Sequence, residues 1–392
     1  MLPSHASPAK DPGSAHSVAR SRSFPRMEAF DTIRILCAMH IMALHLFQDP
    51  MRKAGIPDTL TVAFSSTAGL STTIFFMLSG FVVAYSGTLS GKRFAPLRPM
   101  AKLYPLYFGA AVLWFFGTGA FRHGSMTAFI RSLLLLNPFL GKYPADPCAP
   151  AWAMTTFLLG YLLNAAIVPG LAKLSPGRLR FWLGVTLGAL TLRGLVCGLA
   201  MSPEAPPYPA RMDTPLTEYL HIFPFVRLPD ILAGTLCGVA TAKGFAEGGL
   251  RRVLPASVWD LAIAGLWLGC TALCLTGGRI AYASTHGLLA IPLGLWFLRS
   301  ADSRGGVFAR MGGPIRARWD ISAEIYLLHT FIASVVFRVL WLRFGVSTKG
   351  HELAFATLAA ACVSKSSFRP ASARWSRPTC RRRAAKVGPQ SC

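Results

Sequence analysis

Apolar segments long enough to cross a bilayer recur along almost the whole chain, and nothing else limits its possible folds as tightly. They run at 31–48, 61–86, 103–121, 150–170, 180–200, 222–242, 256–276, 280–298 and 320–342, with a weak tenth at 352–363. A helix needs about 20 mainly apolar residues to span the hydrocarbon core. Backbone polar groups in lipid must be satisfied within the protein, which helices do by themselves. The pattern predicts an all-α, polytopic membrane protein with about ten transmembrane helices. The last, HELAFATLAAAC, is too short alone and is weak or damaged. Composition agrees: 53% of residues are apolar and 14% charged, with a mean hydropathy of +0.45. Soluble domains carry about 25% charged residues.

The net charge of +24 is explained by topology and does not call for nucleic acid. Alternate loops and tails, starting with residues 1–30, hold 27 Lys and Arg, and the opposite loops hold 9. By the positive-inside rule this puts the N-terminus in the cytoplasm, and anionic lipid headgroups are natural partners for such loops. The expected organisation is a cytoplasmic tail at 1–29, a transmembrane domain at 30–363 and a basic tail at 364–392. That last stretch turns abruptly Arg-rich in mid-helix, which reads as a disordered tail or as a frameshift. Residues 1–29 have no apolar core and do not form a signal peptide. Met27 offers a second start, since the hydrophobic pattern begins just after it. The nine Cys show neither CxxC nor metal-ligand spacing, so neither a disulfide framework nor a metal site is expected. Cys37, Cys197, Cys237, Cys270 and Cys274 fall in apolar segments, where Cys packs as a small hydrophobe.

Chemistry gathers at few positions. Arg34 and His45 lie eleven residues apart in the first apolar segment. On a helix that is within about 20° of three full turns, so both share one face about 16 Å apart. An intramembrane Arg is expensive and marks a functional site by default. Either Arg34 serves one, or it sets topology and snorkels to the interface. His45 is either a proton-exchanging group or a core His bonded to a neighbouring helix. Asp49 either orients that imidazole or is a solvated helix-end residue. His40 falls on another face.

Further along, Ser79 and Gly80 sit between aromatics in FFMLSGF, a small pair that either lets helices approach or opens a groove for a ligand tail. Arg98 and Lys102 precede a Tyr-Pro; basic groups there either clamp phosphates or follow the positive-inside rule. Trp152 is either an interfacial aromatic or a platform for an acceptor sugar. Arg227 and Asp230, at i and i+3, read as an ion pair that lowers burial cost. His329 reads as an interhelical hydrogen-bonding residue. The loop at 121–149 contains MTAFIRSLLLLNPFL, a candidate interfacial helix. The loop at 201–221 is Pro-rich and expected to be irregular.

Arg34-x10-His45, FFMLSGF at 75–81, Arg98 with LYP at 103–105, CAPAW at 148–152 followed by Tyr161, and ISAEIYLLH at 321–329 occur in that order. Together they resemble acyltransferase family 3, the integral-membrane O-acyltransferases of bacteria, over residues 28 to 345. The resemblance implies ten membrane helices, a multi-pass protein of the bacterial inner membrane, and a cytoplasmic acyl-CoA donor, commonly acetyl-CoA. It maps the family's Arg/Lys-x10-His pair onto Arg34 and His45, and its basic residue before Tyr-Pro onto Arg98 or Lys102. Two positions depart. Phe157 stands where many relatives have Glu, and Ala323-Glu324 interrupt the usual Ser-Tyr before Tyr-Leu-x-His. Glu324 either compensates electrostatically or lines the entrance to the site.

Transfer from a thioester to a hydroxyl needs a base for the alcohol proton and stabilisation of the oxyanion. His45 suits the base. Arg34 stays protonated and suits the donor, together with Arg98 and Lys102. Trp152, Ser79 and Glu324 are the candidates for substrate binding, with a carbohydrate, glycolipid or related acceptor. Ser79 is also a conceivable acyl carrier. The competing reading is a multi-pass transporter or flippase with Arg34, His45, Arg227, Asp230 and Glu324 as a relay.

Overall fold

The computed structural model describes residues 27–53, 67–91, 95–117, 126–139, 152–201, 215–245, 254–274, 278–301, 305–312 and 325–329. Among these residues there is no strand. The helices are α1 (Glu28–Lys53), α2 (Ala68–Ser90), α3 (Leu97–Gly117), the short α4 (Met126–Leu133), α5 (Trp152–Leu171), α6 (Pro176–Ala200), the short α7 (Pro215–Ile222), α8 (Pro224–Ala242), α9 (Ala256–Cys274), α10 (Gly278–Thr285) and α11 (Ala290–Ser300).

Six helices are long and apolar enough to cross a membrane: Glu28–Leu46, Ala68–Ser90, Trp152–Leu171, Pro176–Ala200, Tyr219–Ala242 and Ala256–Cys274. The all-helical membrane architecture is therefore present, and the count of ten is not reached among the described residues. α3 begins six residues before the apolar pattern, taking in Arg98 and Lys102. The expected helix at 280–298 is broken into α10 and α11. Gly287, at φ +120°, makes the turn, and a side chain there would run into the Leu190 carbonyl. Only 325–329 of the ninth segment is described; the tenth and the tail at 364–392 lie outside the described residues.

Local chemistry explains several boundaries. Ser175 caps α6, accepting from the Arg178 amide at 3.4 Å, with Pro176 as first helical residue; this is a standard N-terminal arrangement. α2 ends at Gly91 in the left-handed region at φ 62°. The stretch MTAFIRSLLLLNPFL folds as α4 with a following 3-10 turn at Asn137–Phe139. The Pro-rich loop closes with a helical turn, α7, where irregular chain was expected; Pro215 fits its first position.

The centre of the molecule is the crossing of α2 and α8. It runs through small residues: a side chain on Gly80 would meet the Ile231 carbonyl, on Gly234 the Met77 carbonyl, and on Gly238 the Phe81 carbonyl. Gly234 and Gly238 form a G-x-x-x-G pair, the spacing that lets membrane helices approach backbone to backbone. α1 runs antiparallel to α2, with Phe30 on Phe81 at 4.8 Å and His40 Nδ1 2.9 Å from Ser71 Oγ. The outer faces of α6 and α9 expose Leu192, Leu199, Leu261 and Leu268, a surface suited to lipid tails. All five Cys of the apolar segments are buried and free, as expected.

Candidate active site

A cavity of about 510 Å³ opens between α1, α2, α3 and α5. α2 supplies a stripe from Thr72 to Val83, eleven residues, or about 16 Å of helix rise. Arg34 from α1 and Arg98 and Lys102 from α3 bring three cations to the lining. The other walls are mainly apolar: Phe75, Phe76, Met154, Phe157 and Leu327, with Tyr161 and Tyr326. Charge and apolar surface in one chamber suit an amphiphilic ligand with an anionic head.

The structure thus unites three residues that the sequence pointed to separately. Arg34 also pairs with Asp31 at 3.3 Å, one turn earlier, a partner that the sequence reading passed over. The two members of the small pair face different ways. Gly80 packs against α8, whereas Ser79 lines the cavity and donates to Tyr161 Oη at 3.2 Å. That is a hydroxyl pair, and among the described residues no basic side chain is hydrogen-bonded to Ser79, as an acyl-carrying Ser requires. Phe157, where the resemblance implies an acid in many relatives, lines the cavity and contacts Phe76 edge-on at 5.1 Å.

His45 does not line this cavity. α1 is continuous between Arg34 and His45, so their axial separation of about 16 Å stands. His45 is exposed, while Ile41 and Met42 one turn earlier are buried. Its ring stacks on His329 at 5.3 Å. The turn 325–329 carries His329 and also gives Tyr326 and Leu327 to the cavity wall. Trp152 is packed inside the protein and does not face its surroundings: it is 5% exposed, between Phe76 at 5.8 Å and His221 at 4.9 Å. It stands one residue from the lining, which Ala153 and Met154 form. Among the described residues His329 makes no hydrogen bond to another helix; its Nδ1 bonds the Ile325 carbonyl of its own turn at 2.9 Å. Glu324 and the Asp49 side chain lie outside the described residues.

Behind Phe76 is a buried charged cluster. Arg227 and Asp230 form the expected ion pair, Nε to Oδ2 at 3.3 Å, and both are 0% exposed. Arg227 also donates to Thr73 Oγ1 at 2.9 Å and the Thr285 carbonyl at 3.2 Å, and its guanidinium lies 5.4 Å from the Phe76 ring centre. Sequence reading missed the third member, Arg193, which donates to Asp230 Oδ1 at 2.7 Å and to the carbonyls of His286 and Val226. A charge inside the apolar segment 180–200 was the available signal. Among the described residues, no group of His, Cys, Asp and Glu is arranged to hold a metal ion.

A family model described as an acyltransferase domain, that of acyltransferase family 3, matches residues 27–364. No curated protein and no solved structure matches the chain. The match spans the helical domain that holds the cavity, both His rings and the buried cluster, and so the chain belongs to acyltransferase family 3 and is a membrane acyltransferase.

Proposed function

We propose that the protein moves an acyl group, most simply acetyl, from acyl-CoA to a hydroxyl of a carbohydrate, glycolipid or related acceptor. The observation that carries this reading is the cavity in which Arg34, Arg98 and Lys102 meet an apolar chamber. Guanidinium and ammonium groups bind phosphates by charge-assisted hydrogen bonds, which matches the anionic end of CoA. The apolar remainder suits the pantetheine arm and acyl group. The basic loops favour a cytoplasmic N-terminus, the family resemblance implies a bacterial inner membrane, and the donor would enter from the cytoplasm past α3.

His45 is the general base. The acceptor oxygen attacks the thioester carbon as His45 takes its proton, and the C–S bond then breaks. Arg34, about 16 Å away along α1, holds the donor and leaves the reacting carbonyl to other groups. The transporter reading draws less support, because Asp230 is fixed by two guanidiniums and is poorly placed to exchange a proton or cargo.

The test is transfer from radiolabelled acetyl-CoA in membranes containing the full chain, beside Arg34→Ala and His45→Ala. Label in glycan or lipid, lost in both variants at equal protein level, is the expected result. Undiminished transfer by His45→Ala would remove its role as base. Absence of label from folded wild type would overturn the acetyl-CoA assignment.

A further inference from the structure

Among the described residues, the buried His329 imidazole is in ring contact with the proposed base. A carbonyl can only accept, so the bond to Ile325 fixes the proton of the neutral ring on Nδ1 and leaves a lone pair on Nε2. That Nε2 is fully buried and has no hydrogen-bond partner among the described residues. A buried acceptor left unmatched costs about 1–3 kcal/mol, which calls for an explanation. The His45 ring stacks on the His329 ring at 5.3 Å with an interplanar angle of 28°.

We propose that His329 is the positioning residue for His45, in a pair of imidazoles that works as base and orienter. The inference rests on the assignment of His45 as base. During transfer the acceptor O–H proton moves to His45 as the new C–O bond forms. The C–S bond breaks, its electron pair leaves with the CoA sulfur, and His45 returns the proton to that thiolate. His329 gains and loses no proton. Its Nε2 lone pair accepts the N–H of the His45 imidazolium while that charge exists, which requires the exposed His45 ring to turn out of the stack. An orienting third group of this kind is general to base-assisted acyl transfer. Here it is an imidazole in place of a carboxylate, so the orienting group itself adds no negative charge among apolar helices, where charge is expensive.

The experiment compares His329→Ala and His329→Gln with wild type and His45→Ala, using acetyl-CoA and the acceptors of the host membrane. Folded protein is equalised by size-exclusion fluorescence. His329→Ala should lower the maximal rate about 10–100-fold with the donor KM within about twofold. His329→Gln, whose side-chain carbonyl restores an acceptor, should recover at least about a third of the lost logarithmic rate. A full rate in His329→Ala, or equal losses in the Ala and Gln variants, overturns the assignment while leaving His45 in place. No transfer by wild type overturns the underlying reading and this one with it.

Discussion

Arg193 of α6 reaches across to α8 and donates to Asp230 at 2.7 Å, although the carboxylate already has Arg227 on its own helix. One acid therefore holds two guanidiniums inside the bundle, and the three side chains lock α6, α8 and the turn after α10 together. Removing one partner of a buried pair leaves an uncompensated charge and costs about 3–5 kcal/mol. Asp230→Ala leaves two cations facing each other and should be the most damaging single change in the cluster. Arg193→Ala should cost less, since Arg193 is 17% exposed and Arg227 still neutralises the acid. Melting in detergent should rank wild type above Arg193→Ala and both above Asp230→Ala; the reverse order would mean that Asp230 is not the hub.

The α2–α8 crossing makes a second stability prediction, with its own control. A Cβ on Gly234 overlaps the Met77 carbonyl, which is backbone and cannot swing away. On Gly184 of α6 it meets nothing within 4 Å. Gly-to-Ala exchange in an open helix position gains up to about 1 kcal/mol, whereas overpacking costs about 1–3 kcal/mol. Gly184→Ala should thus hold or raise the melting temperature and Gly234→Ala should lower it. Equal melting of the two would show that the crossing is looser than described.

The fold was legible where a property repeats, and opaque where it depends on one distant contact. Apolar runs located α1, α2, α5, α6, α8 and α9 because burial in lipid is a property of whole segments. The break between α10 and α11 hangs on Gly287 meeting Leu190, and no local pattern encodes that meeting. Arg34, Arg98 and Lys102 stood out as charges in or beside apolar sequence, and the cavity brings them together. Trp152 looked interfacial because it begins a helix. Only the tertiary fold covers it with Phe76 and His221. The His45–His329 stack joins residues 284 positions apart; periodicity within either helix is silent on such a pair.

The donor reading yields a kinetic prediction. Arg98→Gln and Lys102→Gln keep a polar side chain but remove charge at the cavity wall. A hydrogen bond to a charged group contributes about 1.5–3 kcal/mol, so each change should raise the KM for acetyl-CoA about 10–100-fold. The maximal rate should hardly move, because uniform binding is lost and not transition-state stabilisation. The double variant should lose most of the salt dependence of donor binding. Rates falling at saturating donor with KM unchanged would move these cations from donor binding to chemistry.

Phe157 gives the sharpest test of the cavity as an acyl chamber. It lines the wall, stands edge-on to Phe76 at 5.1 Å and stacks towards Tyr161 at 6.3 Å, so its ring limits the apolar space beside Ser79. Phe157→Ala removes that limit. One methylene in an apolar pocket changes selectivity about 10–200-fold. The variant should therefore shift preference from acetyl-CoA towards butyryl- or hexanoyl-CoA by at least about tenfold per added pair of carbons. Phe157→Tyr, with the same ring, should keep the wild-type preference. The comparison is best run as a competition between donors of different length in one reaction, which cancels differences in protein amount. An unchanged acyl preference in Phe157→Ala, with rates intact, would place the acyl group elsewhere than against this wall. A shift in Phe157→Ala that Phe157→Tyr does not share would fix the ring as the element that measures chain length.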